Sequence, residues 1–224
     1  MTELVVRCLL IDLETPFPGR WNGGDVFRSA FFNALFNGHL KALGYVNQLE
    51  QRARRRINAH AHRNLRMHLA ATAATEHFTA IFADWMMRHP EALQGAEPRL
   101  QTLWLWHSAE ESEHRSTAFD IHQAAGGSHM WRIRTFRYVS VIFLSDILRQ
   151  TVRNLWHDGS LFSWGTWRSA ASLLFARDGL LRGNVGRWRD YLASDFHPSQ
   201  HDATRSQHWL RDNTPQFSVV GQER

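Results

Sequence analysis

Apolar residues recur along this chain every three to four positions, and no stretch alternates with period two between turn residues. The pattern therefore predicts helices throughout. Residues 1–24 are the exception, because Pro16, Pro18, Gly19, Gly23 and Gly24 make an extended N-terminal arm. Asp25 caps a first helix through Phe27, Ala30, Phe31, Ala34 and Leu35, which Asn37-Gly38 breaks. A second helix is expected over 40–59, with Leu40, Leu43, Val46 and Leu49 on its apolar side.

A third runs over 63–87. Leu65, Leu69, Ala73, Glu76, Ala80 and Ala83 share one face, and His89-Pro90 ends it. A fourth spans 99–124 and stops at Gly126-Gly127, with Trp104, His107, Glu111, His114, Ala118 and Ile121 on one face. Helical patterns continue over 131–156, 164–175 and 180–192, with a turn at Asp158-Gly159. The fold class is all-α, a bundle of about six helices. One helical domain covers 25–212, between the N-terminal arm and a loose tail over 213–224.

Composition narrows the function classes. Hydrophobic residues make up 43% and charged residues 21%, which suits a globular chain with its own core. The single cysteine, Cys8, rules out an internal disulfide and a cysteine-based zinc cluster. The opening Met1-Thr2-Glu3-Leu4 lacks a basic region before a long apolar run, so the expected location is cytoplasmic.

The net charge of +5 comes mostly from arginines spread along the chain. Only Arg52 to Arg56 forms a cluster, and a solvated helix face is its plain reading, with an anion contact as the alternative. Nucleic acid is not the expected partner. Ten tryptophans and the apolar run from Tyr138 to Leu148 allow a peripheral contact at the inner membrane. That run is about half of what spans a bilayer, and Asp146 interrupts it.

The chemistry-bearing residues lie on two helices. Glu111 and His114 are three positions apart, so both side chains leave the helix on one side and can grip one ion. That side is apolar, where a carboxylate is costly without a metal or cationic partner. Glu76 takes a similar position on the preceding long helix, among Ala73, Ala74 and Ala80. His107, one turn before Glu111, is a further ligand candidate or a histidine satisfied in the core. Arginine pairing on a solvated face is the competing account of Glu111 and His114, and a surface Glu76-His77 pair that of Glu76. No P-loop, nucleophile elbow or dinucleotide fingerprint appears.

Trp106 to His114, followed by Ala118-Phe119-Asp120, resembles the bacterial predicted metal-dependent hydrolase family. Thr72 to Thr79, Phe31 to Leu35 and Tyr191 to Pro198 extend the resemblance toward both ends. The resemblance implies a ferritin-like helix bundle with additional C-terminal helices. It also implies a carboxylate-bridged site with Glu76, Glu111 and His114 as metal ligands. The chain departs from the pattern in its first half. Phe31-Phe32-Asn33-Ala34-Leu35 runs almost directly into Phe36-Asn37-Gly38-His39, where the family carries two carboxylates. A truncated bundle follows, in which His39 joins the ligand candidates.

Three functions compete. One is a metal-dependent hydrolase acting on a small molecule, with one or two divalent ions, iron or manganese by donor type. A di-iron oxidase or oxygenase would use the same donors. The third is a degenerate, non-catalytic binding or scaffold protein, with a second copy of the chain covering the core that the truncation exposes.

Overall fold

The computed structural model describes residues 38, 40–60, 64–96 and 98–213, and every regular element among them is helical. Eight α-helices are described: α1 (Gln48–His60), α2 (Leu65–Arg88), α3 (Pro98–His114), α4 (Thr117–Ala124), α5 (His129–His157), α6 (Trp164–Phe175), α7 (Val185–Asp190) and α8 (Thr204–Asn213). Single 3₁₀ turns lie at Pro90–Leu93, Arg182–Asn184 and Pro198–Gln200. The all-α expectation holds. The N-terminal arm, the helix expected over 25–35 and the tail after Asn213 lie outside the described residues.

The bundle is built around α2. Asn64 starts it, its side chain accepting from the Arg66 amide at 3.0 Å, and Pro90 begins the 3₁₀ turn just after it. Between those ends the helix touches α3, α4, α5, α7 and α8. Such a helix must be apolar nearly all round, and Leu69, Ala70, Ala73, Ala74, Phe78 and Ile81 are all buried. The alanines thin its first half, while Phe78 and Phe82 stack on Phe143 of α5 at 5.0 and 5.8 Å. Trp104 of α3 fills the neighbouring layer at 2% exposure.

Four sequence expectations need correction. The helix expected over 40–59 is interrupted: residues 40–42 are helical, 43–47 are not, and α1 begins at Gln48. Gly44 adopts a positive φ of 84°, which turns the chain, and Asn47 then caps α1 through the Leu49 and Glu50 amides. Buried Gln150 of α5 fixes this entry, accepting from the Gln48 amide and donating to the Val46 carbonyl, both at 3.0 Å.

The helix expected over 99–124 is two helices, broken after His114. Ile121, expected on the inner face, is therefore 46% exposed, while Ala118 is buried as expected and Phe119 and His122 are buried with it. The helix expected over 180–192 is a 3₁₀ turn followed by short α7. There the Asn184 side-chain amide takes the Leu180 carbonyl, and the Asn184 backbone amide turns to Leu181. Finally, α8 had no counterpart in the pattern reading. Its exposed, charged sequence buries only Ser206, which meets Ser112 of α3, Oγ to Oγ, at 2.9 Å.

The arginine cluster is also not a simple solvated face. Arg52 and Arg56 reach from α1 to Asp146, a buried carboxylate of α5, while Arg54 pairs with Glu50 at 2.8 Å. The one acid that interrupts the Tyr138–Leu148 run thus fastens α1 to α5. Breaking a buried pair leaves charge without compensation. Asp146→Asn is expected to lower unfolding free energy by roughly 2–4 kcal/mol, read by urea denaturation. Arg54→Ala at the exposed pair should change it by less than about 0.5 kcal/mol. Equal small effects in both variants would contradict the assignment.

Candidate metal centre

Glu76 sits midway along α2, half-buried, and its Oε2 accepts from the Ala118 amide at 3.1 Å. That amide lies in the first turn of α4. Ser116, which precedes the turn, makes no side-chain capping bond. A carboxylate from another helix thus serves as the N-terminal acceptor of α4, where the helix dipole also favours negative charge. The break after His114 and the burial of Glu76 are two sides of one contact. Glu76 does point inward, as its spacing predicts.

On α3, Glu111 is also half-buried. Its Oε1 lies 3.7 Å from Nε2 of His107, one turn earlier. His107 is buried and meets Trp104 edge-on at 6.0 Å between centroids. His114 is the last residue of α3 and is half-buried. Between them, Ser112 faces α8 and is a packing residue. Glu113 is exposed. His39 lies outside the described residues. Among the described residues, no three His, Cys, Asp or Glu side chains are grouped closely enough to hold an ion. The described cavity, about 270 Å³, is lined by Gly44, Tyr45, Val46, Arg153, Asn154, Trp156 and His157, and by none of the candidate ligands.

Beside Glu76 lies a polar cluster that the pattern reading did not find. His77 is 2% exposed and shares its Nε2 with the Arg187 carbonyl at 3.1 Å. Tyr191, Phe196 and Phe136 surround its ring at 4.7, 5.3 and 5.7 Å. Burial, helped by His201 nearby, pushes the imidazole pKa down to about 3, so it stays neutral at pH 7. Arg132 of α5 is buried over the Phe119 and Tyr191 rings and donates to the Ala193 carbonyl at 2.6 Å. Burial pushes the Tyr191 hydroxyl pKa up, and that hydroxyl has no hydrogen-bond partner among the described residues.

The segment Tyr191 to Pro198 is thus wrapped on Arg132. Asp120 holds it from α4, its Oδ1 at 2.7 Å from His197 Nε2. Arg132 had a legible signal, since it continues the buried stripe Phe136, Ser140, Phe143 and Ile147 at helical spacing.

The capping contact makes a prediction that does not depend on any metal. Glu76→Ala should cost about 1 kcal/mol through loss of the α4 cap. Glu76→Gln keeps a carbonyl acceptor for Ala118 and should lie within about half of that loss. Thermal unfolding of both variants checks this, and equal losses would contradict the cap.

The family model described as "Predicted metal-dependent hydrolase" matches residues 34–202, which include Glu76, His107, Glu111, His114 and His39. No curated protein and no solved structure matches the chain. That family description implies a divalent metal. The donor types suit one, but the described side chains do not by themselves converge into a three-donor cage. With the match covering three quarters of its length, the helix break and the Arg132 cluster included, the chain belongs to the predicted metal-dependent hydrolase family.

Proposed function

We propose that this protein is a ferritin-like member of the family with one divalent ion, iron or manganese, beside the break between α3 and α4. Glu76, Glu111 and His114 are its proposed ligands, with His107 and His39 as further imidazole candidates. One observation carries the reading. The Glu76 carboxylate lies 3.1 Å from the amide of Ala118, four residues beyond His114. A carboxylate of α2 therefore stands at the end of the Glu111-x-x-His114 segment.

The family description supports hydrolysis, for which a small molecule is the proposed substrate. A divalent ion would contribute by lowering the pKa of bound water and polarising the bond to be cleaved. Among the described residues the donors are not gathered in threes. The same observation, with Glu76 already engaged as a cap, favours a second reading. In it the fold persists as a non-catalytic binding protein.

Metal analysis of the purified protein separates the two. The proposal expects about one equivalent per chain, lost in Glu111→Ala and in Glu76→Gln. The Gln variant is the sharper arm, since it removes a charged donor while sparing the cap. No metal in the unaltered protein would favour the second reading. Near two equivalents would contradict a single-ion site.

A further inference from the structure

The outer side of α5 carries an apolar stripe. Tyr138, Val141, Leu144, Leu148, Val152 and Trp156 follow one another at spacings of three and four, and all are exposed, Val141 at 70% and Trp156 at 67%. The stripe continues past the helix end. Phe162 meets Trp156 edge-on at 6.2 Å and is 84% exposed, and Trp164, which opens α6, is 80% exposed. Exposed apolar residues in such a row are not the scatter expected of an ordinary surface.

The charge around the stripe has one sign. Arg134, Arg137, Arg149 and Arg153 are exposed on α5, and Arg168 on α6. The single carboxylate of α5 is Asp146, which is buried and paired with Arg52, Arg56 and, at 3.9 Å, Arg149. No acidic residue lies on α6. Asp158, just after α5, is engaged by Tyr45 and His157. Among the described residues, no helix is long and apolar enough to cross a membrane.

We infer that this face is a docking surface for an anionic phospholipid bilayer, with α5 and the start of α6 lying in the headgroup region. Charge complementarity selects the occupant. A second copy seated on the same face would set these arginines against one another. A nucleic acid would satisfy the arginines and leave the stripe in water. An anionic bilayer takes both, the apolar row entering the acyl boundary and the arginines meeting lipid phosphates. Trp156, Trp164 and Tyr138 suit the interface, each joining an apolar ring to a polar tip.

Flotation with vesicles of phosphatidylcholine, with and without phosphatidylglycerol, tests this on the full chain. The protein is expected to float with the anionic vesicles only. Val141→Glu with Leu148→Glu should cut the bound fraction by at least about tenfold, and Arg137→Ser with Arg153→Ser by a similar factor. All four positions are exposed, so far-UV circular dichroism and melting temperature should not change. No flotation would overturn the inference. So would flotation that the glutamates leave intact, since the contact would then be electrostatic alone. A concentration-dependent dimer, dissolved by the glutamates and indifferent to vesicles, would give the face to a second copy instead.

Discussion

Burial of α2 on nearly every side is the constraint from which the rest follows. A helix enclosed by α3, α4, α5, α7 and α8 can carry few polar groups, and each needs a partner inside the protein. His77 answers by staying neutral against the Arg187 carbonyl. Glu76 answers by taking the Ala118 amide. That second answer reaches beyond α2, because it supplies the start of α4 and so goes with the interruption of a helix that would otherwise run on. The interruption falls directly after His114, one of the candidate donors. One carboxylate therefore shapes both the fold and the candidate site.

What was legible in the sequence were features settled by neighbouring residues. His89-Pro90, Gly126-Gly127 and Asp158-Gly159 stop helices where local chemistry says they should, and α6 agrees with its pattern at both ends. What was not legible was settled across the bundle. The break at Arg115-Ser116 has no proline or glycine to announce it, and its acceptor comes from residue 76. The arginine cluster could not reveal that its counter-charge, Asp146, stands about ninety positions later. The polar wrap around Arg132 depends on a loop carbonyl more than sixty residues away. In each case one partner was visible, and the distance along the chain hid the other.

The candidate site was legible as residue types rather than as a geometry. The spacing argument put Glu76, Glu111 and His114 on the apolar faces of two helices, and in the structure all three are half-buried. It pairs Glu111 with His107 and Glu76 with a helix end, instead of gathering a cage among the described residues. Family membership implies a divalent metal, and the described residues do not fix its position. A carboxylate that already stabilises a helix end can be retained for that reason alone, so fold and metal have to be separated by experiment.

The central claim is that a metal ion binds at the α3–α4 break beside Glu76. Anomalous scattering from crystals grown with manganese locates the ion without reference to activity. The account predicts one peak per chain, within about 2.5 Å of a Glu76 or Glu111 carboxylate oxygen, with a His114 or His107 nitrogen completing the contact. A peak elsewhere, or none with the protein saturated in manganese, would contradict it.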